Sequence, residues 1–144
     1  MHDIAGARCL DAFSGSGALG LECLSRGAEH ATFIEADRRV AAQLQSNLTA
    51  LDADDRADTI IQSAVNVLRK PAAKPFDLVF LDPPFDTDLL AQALPLLAEN
   101  NWLAENALIY VEQASKQDPE SVPDAWQVYK TGKAGYCRYS LYSA

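Results

Sequence analysis

Short apolar runs alternate with segments of helical period five times in succession along this chain, and that alternation leaves few architectures open. Ala7 to Asp11 reads as a first strand, followed by a glycine turn and a helix from about Ala18 to Arg26 with Leu19, Leu21 and Leu24 inward. Gly27 supplies the helix stop. Ala31 to Glu35 is a second strand, and Val40, Leu44, Leu48 and Leu51 mark one face of the next helix. Thr59 to Gln62 is a third strand, with a short helix near Val65 to Leu68. The run from Phe76 to Leu81 is a fourth strand, and a helix from about Thr87 to Asn100 carries Leu90, Leu94 and Leu97. Ala107 to Glu112 is a fifth. Gln113 to Asp124 is polar, contains Pro119 and Pro123, and reads as a loop or a poorly formed helix. Trp126 to Lys130 and Tyr136 to Tyr142 alternate in the manner of a hairpin, joined by a turn containing Gly132 and Gly135. The expected fold is α/β: a mostly parallel seven-stranded sheet, helices on both faces, and a C-terminal antiparallel hairpin at one edge.

With 144 residues, 49% of them hydrophobic and 22% charged, the chain has the composition of a globular domain with a buried core. No repeat, linker or low-complexity stretch divides it, so one domain over residues 1–144 is expected. No apolar stretch approaches the roughly eighteen residues needed to cross a bilayer, and the N-terminus lacks the pattern of a signal peptide; a cytoplasmic protein without membrane contact is expected. Cys9, Cys23 and Cys137 lack zinc or redox spacing, and His2 and His30 are isolated, so no metal site is expected. A formal charge of −8 argues against a phosphate-binding surface made by this chain alone; the basic residues form only small groups such as Arg38-Arg39 and Lys130 with Lys133.

Two motifs interrupt the regular pattern. Asp82-Pro83-Pro84-Phe85 follows the fourth strand directly. Two successive prolines end a strand and hold the following loop stiff, which delivers a carboxylate and an aromatic ring to the carboxyl end of a sheet, where open α/β folds place their chemistry. The same tetrapeptide also fits a plain strand-terminating turn with Asp at its first position. The second motif is the turn from Asp11 to Gly20, in which Gly15, Gly17 and Gly20 satisfy the GxGxxG pattern, and Glu35 follows at the spacing of a ribose-binding carboxylate. A nucleoside-containing ligand is implied. Asp11 discriminates among them: a carboxylate ahead of the turn repels a pyrophosphate but suits a ligand with an ammonium group and a sulfonium centre, as S-adenosylmethionine has.

The Asp-x-Phe-x-Gly-x-Gly, Glu-x-Asp and Asp-Pro-Pro-Phe segments resemble those of the Rossmann-like class I S-adenosylmethionine-dependent methyltransferases that act on exocyclic amino groups. Leu10 to Glu22 and Phe80 to Phe85 are more specifically similar to the RsmD family, as are Trp102-Leu103-Ala104, Leu108 to Glu112 and Tyr139 to Tyr142. The resemblance implies methyl transfer to guanine N2 in 16S ribosomal RNA, within the small ribosomal subunit or an assembly intermediate, by a monomeric enzyme. It implies that Asp11, Phe13 and the turn Gly15-Ser16-Gly17 hold the methionine part of the cofactor. Glu35 would take the ribose hydroxyls, with Ala36 near the adenine edge and Ser63 and Ala64 at the position of the adenine contact. Ser63 equally suits the N-cap of the helix that follows. Asp82 and the Pro83 carbonyl would each accept one hydrogen of the acceptor amine, Pro84 would fix the loop, and Phe85 would stack on the base.

Members of that family carry a basic N-terminal extension, whereas only Met1 to Gly6 precede the first strand here; the expectation is a methyltransferase domain lacking that extension and binding RNA weakly. Two other classes stay open on the residues: an adenine-N6 methyltransferase on DNA or RNA, and a non-catalytic module binding S-adenosylmethionine or NAD.

Overall fold

The computed structural model describes residues 4–85 and 87–144; His2 lies outside them. The chain opens with β1 (Arg8–Asp11), α1 (Ala18–Ser25) and β2 (His30–Ile34), and continues through α2 (Arg38–Ala50) and a 3₁₀ turn over Asp54–Arg56. Next come β3 (Ala57–Ile60), α3 (Ala64–Leu68), β4 (Phe76–Leu81) and α4 (Leu89–Glu99). The last elements are β5 (Leu103–Ala114), β6 (Gln127–Ala134) and β7 (Cys137–Ser143). All seven strands form one sheet in the order β3-β2-β1-β4-β5-β7-β6. The first five are parallel, and β7 runs antiparallel between β5 and β6. The sequence expectation of a mostly parallel seven-stranded sheet closed by an antiparallel hairpin is therefore met.

Alternate residues of the central strands feed two cores, one per face. Leu10, Val79, Leu81 and Ile109 point to the side covered by α3 and α4. Cys9, Phe33 and Phe80 point to the side of α1 and α2. Trp102 ties the first layer together: its ring stacks on Phe76 at 5.9 Å, and its indole N–H donates to the Leu68 and Lys70 carbonyls at 3.2 and 3.1 Å, ending α3 against the sheet.

Several boundaries differ from expectation for local reasons. In α1 the buried residues are Gly20, Cys23 and Leu24, while Leu19 and Leu21 are half-buried, because Gly20 faces the sheet and lets the helix sit close to it. Gly27 adopts φ 96, as a helix stop requires. In α2, Asp37 caps the helix by accepting from Arg39 N and Val40 N; counting from that start, Ala41, Leu44 and Leu48 face inward and Leu51 falls outside the last turn, 59% exposed. Strand β3 lies two residues earlier than expected, since its register pairs Ala57 to Ile60 with Ala31 to Ile34, and Ile61 to Ser63 run off the sheet. Strand β5 is twice the expected length. Two steps along β4 match five along β5, with Asn106 at φ 62 within the irregularity. The hairpin loop is Gly135-Tyr136, with only Gly135 at positive φ, as a type II′ turn requires. Gly132 lies inside β6, where the Tyr139 ring covers it. Strand β6 carries a bulge between Val128 and Lys130.

A Cβ at Gly20 would lie 2.4 Å from the fully buried Phe33 ring. Gly20→Ala is therefore expected to lower stability by about 1–3 kcal/mol despite the better helix propensity of alanine, read as a lower urea midpoint with an unchanged m-value.

Candidate active site

At the carboxyl ends of β1, β2 and β4 the sheet opens into a cleft of about 660 Å³, a volume typical of small-molecule sites. Its walls are the segments singled out in the sequence. Asp11, Phe13, Gly15 and Ser16 come from the first turn, Glu35 and Ala36 from the end of β2, and Ser63 and Ala64 from the start of α3. Asp82, Pro83, Pro84 and Phe85 form the wall opposite the glycine turn. Of the thirteen residues picked out from the sequence, only Gly17 is not on this wall. It is buried at φ 84 as the N-cap of α1, and a Cβ there would lie 2.3 Å from Leu44, so its glycine serves the turn and the packing beneath it.

Backbone donors left open at the starts of the two helices aim the carboxylates. Gly17 has no side chain with which to cap α1. Asp11 does so from the end of β1, its Oδ2 accepting from Gly20 N at 3.2 Å. Glu35 is held at both oxygens, Oε1 by Gly15 N at 2.9 Å and Oε2 by Asp37 N at 2.8 Å. Ser14, which the sequence reading passed over, closes the floor: its hydroxyl lies 2.9 Å from both the Asp11 and Ile34 carbonyls, and its N–H donates to Ile34 O. Ser63 is indeed an N-cap, its hydroxyl oxygen accepting from Asn66 N at 3.2 Å. That leaves its O–H free to donate into the cleft.

The loop after β4 is fixed at its outer side. Thr87 donates its hydroxyl to the Pro84 carbonyl at 2.8 Å, while among the described residues none donates to the Pro83 carbonyl. Pro83 is buried and Phe85 remains 40% exposed, an aromatic face available at the cleft's rim.

The electrostatics are one-sided. Among the described residues, Asp11, Glu35 and Asp82 line the cleft and no Lys, Arg or His does. Burial raises the Asp11 carboxyl to about 7; the Gly20 N–H opposes that shift, and Asp82 and Glu35 add to it. Burial, then the neighbouring Glu112, raise Asp82 to about 6. Glu112 and its partner Tyr110, whose hydroxyl donates to Glu112 Oε1 at 2.7 Å, were not picked out from the sequence. Their signal was an i, i+2 pair on one face of a strand ending beside the Asp82 loop.

This strand order, with an anionic cleft at the carboxyl edge and a proline-stiffened loop facing a glycine turn, defines a Rossmann-like methyltransferase. The family model described as conserved hypothetical protein 95 matches residues 1–143, and the chain belongs to that family, the RsmD family. Its relatives include ribosomal RNA small subunit methyltransferase D of Haemophilus influenzae, 49% identical over 94% of this chain and 71% of that protein. The Escherichia coli K12 protein of the same name is 45% identical over 96% of this chain and 69% of its own length. The solved structure of Escherichia coli yhhF superimposes with a TM-score of 0.93 at 45% identity, covering 97% of this chain and 78% of the other.

Asp11 binds protons more tightly in the folded chain than in the unfolded one. Stability is thus expected to fall as pH rises from about 4 to about 7 and to level off above, where the carboxylate is buried and charged in the fold. Asp11→Asn, which retains an acceptor for Gly20 N, should exceed the parent in urea-unfolding free energy at pH 8 by up to about 4 kcal/mol and match it near pH 4.

Proposed function

We propose that this chain transfers a methyl group from S-adenosylmethionine to the exocyclic N2 amino group of a guanine in 16S ribosomal RNA, presented within the small ribosomal subunit or an assembly intermediate. The observation that carries this reading is the charge of the cleft: among the described residues, three carboxylates and no basic side chain stand on its walls. A pyrophosphate would meet only repulsion there, which weighs against NAD, whereas a ligand with an ammonium and a sulfonium centre finds opposite charge. Its nucleoside part fits the donor set as well. Glu35 is fixed by two backbone N–H groups and retains free lone pairs for two ribose hydroxyls. Ser63 retains a donor for a ring nitrogen of the adenine. Gly15, where a Cβ would meet nothing within 4 Å, leaves the backbone open to close approach.

When bound, S-adenosylmethionine supplies an electrophilic methyl group. The protein's share is positioning. The amino group of guanine is a weak nucleophile because its lone pair is delocalised into the ring. Asp82 and the open Pro83 carbonyl each accept one amino hydrogen, which lets the nitrogen pyramidalise and aims its lone pair along the transfer axis. Phe85 stacks on the unpaired or flipped base. Guanine N2 is the acceptor implied by the family resemblance, and the relatives' names support a small-subunit RNA as substrate.

The acidic balance of the chain is unevenly spread, which eases the conflict with an RNA substrate. Residues 125–144 contain Lys130, Lys133 and Arg138 and no acidic residue. They form the hairpin that reaches the carboxyl edge of the sheet, and Tyr136 at its tip is 81% exposed. Among the described residues no helix is long and apolar enough to cross a membrane, in keeping with a cytoplasmic enzyme. Such an enzyme is expected to act as a monomer.

Incubation with labelled S-adenosylmethionine and small-subunit RNA, followed by nucleoside digestion, is expected to yield N2-methylguanosine; methyladenosine would point to the adenine-N6 reading instead. Asp82→Ala is expected to lower kcat by about 10²- to 10³-fold. Phe85→Ala, losing about 1–3 kcal/mol of base stacking, should lower kcat/KM for RNA by roughly 10- to 100-fold. S-adenosylhomocysteine, and not NAD, should raise the melting temperature of the parent protein, and Asp11→Ala should abolish that rise.

A further inference from the structure

We propose that Glu112 is a positioning residue for the transfer: it stands beside Asp82 as the acceptor for the hydrogen that Asp82 takes up, and Tyr110 holds it there. This inference rests on the reading of Asp82 given above. In the parallel pair β4 and β5, Leu81 is opposite Val111, so the next position along places Asp82 beside Glu112 on the same side of the sheet. In that place Glu112 raises the Asp82 carboxyl, after burial, by its charge and by the hydrogen bond the two groups can share. Because ionised carboxylates only accept, that bond exists when one of them carries a proton.

The support behind Glu112 runs across the sheet. Tyr110, two residues earlier on the same face, donates to Glu112 Oε1 at 2.7 Å. Its ring is held edge-on by Phe80 at 6.0 Å and stacked by Tyr139 at 6.3 Å. Tyr139 pairs with Glu112 on one side and Gly132 on the other, and a Cβ at Gly132 would come within 2.4 Å of the Tyr139 hydroxyl. The row from Asp82, just past β4, through Glu112, Tyr139 and Gly132 thus crosses β5, β7 and β6 at one level. Glu112 also borders a small recess behind the loop, together with Pro83, Pro84 and Phe85.

The chemistry gives such a group a role. As the amino nitrogen forms its bond to the methyl carbon, the carbon–sulfur electron pair stays on sulfur, and the methylated nitrogen is left with one proton too many. Asp82, ionised above pH 6 or so, accepts that proton. Its new O–H then donates to the Glu112 carboxylate, and the proton later leaves to solvent through the open cleft. The titratable groups around the pair are Asp11 from β1, Tyr110 from β5, Cys137 and Tyr139 from β7, and Glu120 across the recess. Among the described residues, Glu112 is the neighbouring charge that shifts Asp82, and it shifts it upward.

The test is a carboxyl-carbon NMR titration of the whole chain without cofactor, with Asp82→Asn identifying the Asp82 resonance. The Asp82 midpoint, about 6 in the parent, is expected to fall by about one unit in Glu112→Gln. The acidic limb of kcat for RNA methylation should move down with it, with kcat about tenfold lower and KM for S-adenosylmethionine within twofold of the parent. An unchanged Asp82 midpoint in a folded Glu112→Gln protein overturns the proposal. Should that variant not fold, Glu112→Ala, which also removes the carboxylate, serves in its place, and a midpoint identical to the parent's overturns the proposal equally. If the midpoint moves as stated but the parent methylates no ribosomal RNA, the carboxyl pair stands and the proposed reaction falls.

Discussion

Every parallel strand that hands the chain to a helix leaves backbone N–H groups to be satisfied along the turn and at the helix start, and here the carboxylates at the ends of β1 and β2 take three of them. Asp11 receives Gly20 N–H, and Glu35 receives the N–H groups of Gly15 and Asp37. The glycine turn forces this arrangement. A chain that passes through Gly15 and Gly17 at positive φ has no side chain at the N-cap, so the cap must come from elsewhere. The strand end supplies it, and in doing so turns two acidic side chains into fixed walls of a cleft.

Fixing acidic groups that way has an electrostatic cost. Asp11, Glu35 and Asp82 come from three neighbouring segments and converge without a basic residue between them. Burial, with Asp82 and Glu35 adding to it, raises Asp11, and burial with Glu112 raises Asp82, which weakens the apo fold at alkaline pH and stores an attraction for a cation. In the proposed reaction one member of this set is used for more than attraction. Asp82 faces the acceptor, and the row behind it through Glu112 and Tyr139 anchors its carboxyl to the antiparallel half of the sheet.

The parallel sheet and its helices were legible because periodicity and the glycine and proline signals are local. Gly27 stopped α1 and Pro83 ended β4 as their backbone chemistry dictates. Boundaries that depend on a neighbour were not. Strand β3 takes its limits from β2, β5 takes its length from pairing with both β4 and β7, and Leu51 stays outside because Asp37 sets where α2 begins. The same divide runs through the site. Residues inside a contiguous motif, such as Asp82 to Phe85, were found, whereas Ser14 as a clasp between strands and Glu112 as a neighbour of Asp82 exist only through register. A glycine between two alternating segments usually makes a turn; at Gly132 the Tyr139 ring above it supplies a different reason.

The bulge in β6 has a consequence beyond the shape of the hairpin. Among the described residues strand β6 is an edge of the sheet, eight residues long and carrying the exposed Val128, the kind of strand that recruits further chains into a growing stack. The extra residue at Tyr129 breaks the spacing of its outward donors and acceptors midway, and Lys130 and Lys133 place like charges along the same border. A second strand approaching in register would pair on one side of the bulge only. The irregularity therefore works against cross-β assembly along this border.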